Sequence, residues 1–177
     1  MFRLEIGVGD AKEMSRVIGL LKDVIGSLEH EWRHVVRPYM TRHFEQQFDT
    51  AGQHGGAPWE GYGNEPQYAA MKQKIVGHLE LLRWEKGKRE RLYPSVTQPS
   101  HPEHVFRADE DSMSMGTLVP YAERLIEGGE GPFGETYPGR NWMRMKRAQK
   151  SDLITEIQRS IRRRLSDDAL REARAIL

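Results

Sequence analysis

Residues 10–38 read DAKEMSRVIGLLKDVIGSLEHEWRHVVRP, and this stretch decides the fold. Met14, Val17, Ile18, Leu21, Val24, Ile25, Leu28, Trp32, Val35 and Val36 recur at steps of three and four. That spacing puts them on one apolar stripe of a long helix. Asp10 with Glu13 three residues on resembles a capping box at its start. Pro38 must kink or end the helix, because its ring opposes the carbonyl of His34. Tyr39, Phe44 and Phe48 then continue on a second segment.

Upstream, Phe2, Leu4, Ile6 and Val8 alternate with Arg3, Glu5 and Gly7, the period of a short half-buried strand. Downstream, periodicity vanishes over 49–67, where seven glycines and prolines mark a long irregular loop around Trp59 and Tyr62. Aromatics in such a loop need something to pack against. They lead us to expect a segment that becomes ordered on assembly, against the alternative that Trp59 covers its own domain. Tyr68–Trp84 reads as helix, Arg91–Thr97 as a weak strand interrupted by Pro94, and His104–Ala108 and Ser112–Leu118 as strands. Asp109-Glu110-Asp111 forms the hairpin turn between the last two. Tyr121–Glu127 reads as a short helix and 128–139 as a second glycine-rich loop. From Ser151 an amphipathic helix runs to Leu165 and on toward Leu177. The fold class is therefore α+β: a long N-terminal helix and a C-terminal helix packed on a small antiparallel β-sheet. The organisation expected is one domain over 1–165 and a helical extension over 166–177.

Composition narrows the function classes. In 177 residues there is no cysteine, which removes a disulfide framework, thiolate metal sites and a cysteine nucleophile. The formal net charge of +1 argues against a chain that coats nucleic acid over its whole surface. Charged residues make up 30%, above the usual share, so the core is thin for this length. No apolar run is long enough to span a bilayer, and the N-terminus has no signal-peptide pattern, so a cytosolic origin without membrane contact is expected.

One motif points to chemistry. His30-Glu31-Trp32-Arg33-His34 matches H-E-x-x-H, which in zinc metallopeptidases sets two imidazoles on one helix face beside a glutamate base. Four features weigh against it. Arg33 puts a charge between the histidines, Pro38 disturbs the turn that follows, and Arg37 and Met40 break the extended form of the motif. The apolar stripe through Leu28, Trp32 and Val35 also turns His30 toward solvent or a partner. The reading is a solvated helix face, with a zinc-dependent hydrolase as the alternative. There is no nucleophile elbow and no phosphate-binding loop, and Gly7-Val8-Gly9 lacks the third glycine of a dinucleotide fingerprint. No catalytic, cofactor-binding or metal-ligating residue is assigned.

Charge is unevenly spread. Between Arg140 and Arg164 nine Lys or Arg face two acids, Asp152 and Glu156, while residues 1–139 carry a net −5. An acidic body with a basic arm suits backbone contact with DNA, or docking on the next copy of the same chain. No aromatic residues interleave these arginines, so stacking on bases is not supported.

A set of ordered elements adds a resemblance. It comprises a helix end with Phe44 and Phe48, a glycine loop with Gly56 and Trp59, then Tyr68 and Lys72, and then Leu92 and Ser95. Tyr121-Ala122, Gly128-Gly129, Pro138-Gly139-Arg140 and a terminal amphipathic helix follow. This order resembles the virion morphogenesis family of tailed phages, the tail-completion proteins, over roughly residues 1–165. The pattern departs at Gly87, at Arg124-Leu125 and at Asn141-Trp142, where the family carries other residues. The resemblance implies a structural virion protein without catalysis, forming a ring at the head-proximal end of the tail and joining tail to head. It implies a homo-oligomer, a hexameric ring, with tail-tube and neck proteins as neighbours. It also implies non-specific contact with DNA in the channel, and a location in the virion after assembly in host cytoplasm. Trp59, Tyr62, Tyr121, Arg140, Trp142, Arg162, Arg163 and Arg164 are the candidate assembly-interface residues.

Overall fold

The computed structural model describes residues 27–82, 92–130 and 133–176. The expected strand at Phe2–Val8, the Asp10 capping box and the stripe from Met14 to Ile25 lie outside them, as do Gly87 and the end of the Tyr68–Trp84 segment. Within the described residues the fold is mixed α and β, with helices toward both ends and two small antiparallel two-stranded sheets. The chain divides into two compact units. The first holds Thr41–Val105 and Gly116–Lys146. The second holds Met40 and the described residues before it, Phe106–Met115 and the chain from Arg147 onward.

Helix α1 comprises Glu29–Glu31, a π-helical turn at Trp32–Val36, and Arg37–Asp49. Pro38 neither ends it nor marks a break. In the π turn the Arg37 N–H donates to the Trp32 carbonyl, five residues back. This wider turn moves the backbone pairing out of the α register just where the proline ring would meet the carbonyl four residues earlier.

In the second unit Leu28, at the start of α1, and Trp32 and Val36 are buried, as the stripe read from the sequence requires, and Met40 is buried with them. The C-terminal helix α5, Arg147–Ile176, contributes buried Leu153 and Ile161 and contacts the start of α1. The turn of the β1–β2 hairpin also belongs to this unit. The Asp109 carboxylate accepts from the N–H groups of Asp111 and Ser112 and from the Ser112 hydroxyl, and the Leu28 N–H donates to the Glu110 carbonyl. Strand β1, His104–Ala108, falls where a short strand was expected, and β2, Met113–Thr117, falls within the alternating Ser112–Leu118.

In the first unit, α2 spans Pro66–Val76 and stops at Gly77, whose φ of +87° makes a left-handed cap. The helix expected to reach Trp84 is therefore shorter. Leu92–Thr97, expected as a strand, is the helix α3. Pro94 lies within it, and the Ser95 and Thr97 hydroxyls donate back to the carbonyls of Leu92 and Tyr93. Helix α4, Ala122–Glu127, matches its expectation. The 128–139 segment is not simply a loop: Gly128–Glu130 (β3) pairs antiparallel with Thr136–Pro138 (β4), Gly129 opposite Tyr137. Gly128 makes this possible. Its φ is +82°, and a Cβ there would sit 2.7 Å from the Gly139 nitrogen.

Candidate functional site

The residues singled out by sequence converge mostly on the first unit, around Tyr62. Its ring sits on a 3₁₀ turn, Tyr62–Asn64, just before α2. The guanidinium of Arg140 lies 5.1 Å from the ring centroid and the ammonium of Lys72 5.3 Å, a double cation–π contact. Arg140 is 2% exposed and forms an ion pair with the carboxylate of Glu65, itself 5% exposed. The Arg140 Nε donates to the Glu60 carbonyl at 3.2 Å. Lys72 donates to the Tyr62 hydroxyl at 3.0 Å and also to the Glu80 carbonyl. Tyr68 packs its ring 5.5 Å from that of Tyr62.

Local sequence explains how these elements arrive. Glu65, at the N-cap position of α2, makes no side-chain cap, since its carboxylate is held by Arg140. Glu135, from the β3–β4 connection, supplies the cap instead, accepting the N–H groups of Gln67 and Tyr68. Pro66 opens the helix where a missing N–H costs nothing. Burial holds the Tyr62 phenol far above its ordinary pKa, and neighbouring Tyr68 adds to this. Tyr68 is raised too, by burial and then by Glu65. Both rings stay protonated at neutral pH. The arrangement is a clasp: a buried cation–carboxylate pair and two neutral phenols tie the 57–65 connection, α2 and the Pro138-Gly139-Arg140 element together.

Beside it, the aromatic residues of α1 close the core. Trp142 is fully buried with its ring edge-on to Phe44 at 5.4 Å, and Phe48 meets Trp59 at 5.6 Å and Tyr93 at 5.3 Å. Trp59 is thus covered within its own unit. The expectation that its loop needs an assembly partner to pack against is corrected here: Phe48 provides the surface for the ring, and the Trp59 backbone N–H donates to the Ala51 carbonyl at 2.7 Å.

Trp59, Arg140 and Trp142 were expected at an assembly interface, and all three are instead buried inside the first unit. Tyr62 is half-buried in the clasp. Tyr121 is exposed at the N-cap of α4. In the second unit the three consecutive arginines separate. Arg162 and Arg163 are exposed, whereas Arg164 turns inward and donates to the Glu31 carboxylate at 2.8 Å. Arg164 is thus only partly exposed, its charge paired with a fully buried glutamate.

That pairing bears directly on the H-E-x-x-H motif. His30 and His34 stack on the exposed side of α1, ring centroids 4.5 Å apart. Glu31 lies on the buried side, its second oxygen accepting from the Ser160 hydroxyl at 3.1 Å. The carboxylate that a metallopeptidase would aim at a metal-bound water is thus held by Arg164 and Ser160, away from the histidines. Among the described residues, no group of three His, Asp or Glu side chains is placed to hold a metal ion.

Sequence reasoning missed Glu65 and Glu135, because their partners lie 75 and 68 residues away and no local pattern marks them. It also missed a histidine pair. His43 on α1 is 2% exposed, its Nε2 bonds the Arg144 carbonyl at 2.9 Å, and its ring lies 5.0 Å from that of His54. No family model, curated protein or solved structure matches this chain. No helix among the described residues is long and apolar enough to cross a membrane.

Proposed function

We propose that this chain is a structural component of a tailed-phage virion, a tail-completion protein acting in a ring at the head-proximal end of the tail. The observation that carries the reading is how the residues of the resemblance are used. Phe44, Phe48, Trp59, Tyr68, Lys72 and Arg140 come from separate stretches and meet in one unit as packing and clasp residues. Residues selected for holding loops and a hairpin in fixed positions suit a protein whose product is a surface. In this proposal the subunits form a hexameric ring, flanked by tail-tube and neck proteins, and reach the virion from the host cytoplasm. Exposed Tyr121, Arg162 and Arg163 are the residues left to make contacts with neighbours or with channel DNA.

The test is the native mass of the purified chain, alone and with tail-tube protein, followed by electron microscopy. Closed rings that cap tubes support the reading. A chain that stays monomeric and leaves tube length unchanged refutes it. No specific observation favours the hydrolase alternative, since Glu31 is engaged by Arg164 and Ser160.

A further inference from the structure

The turn at 50–56 follows α1 and is closed by a small set of polar contacts. Gln47 bridges it: its Oε1 accepts the Gly55 N–H at 2.8 Å, and its Nε2 donates to the Arg144 carbonyl at 2.7 Å. The same carbonyl takes the hydrogen bond from His43. A carbonyl only accepts, so the proton of His43 sits on Nε2 and Nδ1 carries a lone pair. That Nδ1 is buried and has no partner. The His43 ring lies 5.0 Å from that of His54, from the turn, and Lys146, from the chain after Trp142, acts on His54. Lys146 also lies against the turn itself, its side chain 2.9 Å from where a Cβ of Gly56 would be. A metal ion is disfavoured at this pair, because the ammonium stands beside it and the described residues offer no third ligand.

We infer that His43 and His54 form a proton-operated latch, in which protonation of the pair releases the 50–56 turn from the Arg144 segment. A second proton on His43 turns a buried bare lone pair into a buried donor without an acceptor. It also sets a cation beside His54 and Lys146. The closed turn therefore requires the neutral pair. Burial and then His54 hold the His43 pKa down to about 4, and burial and then Lys146 lower that of His54. The sign follows from linkage. The open form binds protons at the ordinary histidine pKa, so it gains on the closed form as pH falls from about 6.5 toward 4. The inference stands on the geometry of this unit and does not depend on the virion reading.

Hydrogen exchange on the full chain tests it, with rates corrected for the intrinsic effect of pH. The amides of Gly52, Gly55 and Trp59, all bonded within this turn, report the latch. Between pH 7 and pH 5 their protection should drop roughly twentyfold, while amides in the middle of α2 hold theirs. In His43→Gln, which keeps an N–H donor for the Arg144 carbonyl but cannot titrate, the drop should shrink to a few-fold. In His54→Gln it should shrink more weakly. Unchanged protection in the wild type overturns the latch. So does a loss shared equally by α2, which would mean global unfolding, or a full pH response surviving in His43→Gln.

Discussion

Replacing Arg140 by Met tests whether the clasp around Tyr62 holds the first unit together. Arg140 and Glu65 are 2% and 5% exposed, so methionine leaves a carboxylate with no counter-charge and almost no water. Breaking one side of a buried pair costs about 3–5 kcal/mol, most of it the penalty on the stranded partner. The lost contact with the Tyr62 ring, at 5.1 Å, contributes about 1 kcal/mol of that. The Glu60 carbonyl loses its donor as well. With a urea slope of about 2 kcal/mol/M, the midpoint should fall by roughly 2 M. Glu65→Leu alone should be similarly severe, because it strands the guanidinium. The double variant removes both charges, and its loss should be about half the sum of the two single losses or less. A spectroscopic readout accompanies the melt. Arg140 lowers the pKa of both phenols, and Glu65 raises that of Tyr68. Alkaline titration should therefore move up in Arg140→Met, and Tyr68 should move down in Glu65→Leu. The reasoning fails if Arg140→Met lies within 1 kcal/mol of wild type, or if the two single losses simply add.

Three further outcomes are expected. Glu31→Ala should lower stability by about 2–3 kcal/mol in a urea melt, since it strands Arg164, whereas Arg162→Ala should change it by less than about 0.5 kcal/mol. Gly55→Ala should cost about 2 kcal/mol in a thermal melt, because its Cβ would lie 2.1 Å from Gln47 Nε2 and 2.4 Å from the Arg144 carbonyl, while Gly63→Ala, with open space around it, should be neutral. Asp109 is held below the usual carboxylate pKa by the Ser112 hydroxyl first and then by the Asp111 and Ser112 N–H groups. Its contribution to the hairpin turn is therefore present above the ordinary carboxylate pKa and lost as pH falls through the depressed one, and Ser112→Ala should raise its NMR titration midpoint.

Where spacing carried the information, the fold was legible. The stripe from Leu28 to Val36, the two strands of the β1–β2 hairpin and the acidic turn between them lie where period and turn chemistry put them. Several misreadings share a cause: proline and glycine were read as breaks when their neighbours had absorbed them. Pro38 sits past a π turn, Pro94 lies within a helix, and Gly128 opens a strand pair that has no room for a Cβ, whereas Gly77, which does stop α2, was read through. The site was legible only in its parts. Tyr62 and Arg140 were picked out, but as surface residues, because nothing local shows that Glu65 would neutralise Arg140 from 75 residues away. Lys72 lies on a helix with polar neighbours and still ends 1% exposed, since Tyr62 and the Glu80 carbonyl receive its ammonium.

The same accounting changes what the basic arm can do. Of its nine cations, Arg140 is neutralised by Glu65, Arg159 by Glu156 and Arg164 by Glu31. Two of those acids belong to the body whose negative charge was to receive the arm of a neighbouring copy. They are buried in contacts within one subunit and cannot serve twice. Intersubunit attraction therefore falls to the other six, of which Arg144, Lys146, Arg147, Arg162 and Arg163 are exposed, and a reversal of all three consecutive arginines would confuse two effects. Arg164→Glu sets two carboxylates together beside Ser160 and should destabilise the subunit itself, whatever its assembly. Arg162→Glu with Arg163→Glu leaves that pair intact and reverses charge only at exposed positions. If rings are lost in the double variant while its urea midpoint stays near wild type, these positions lie at an interface between copies. If rings persist and only retention of DNA suffers, the same positions line the channel. A double variant that forms normal rings and retains DNA normally would remove Arg162 and Arg163 from both roles.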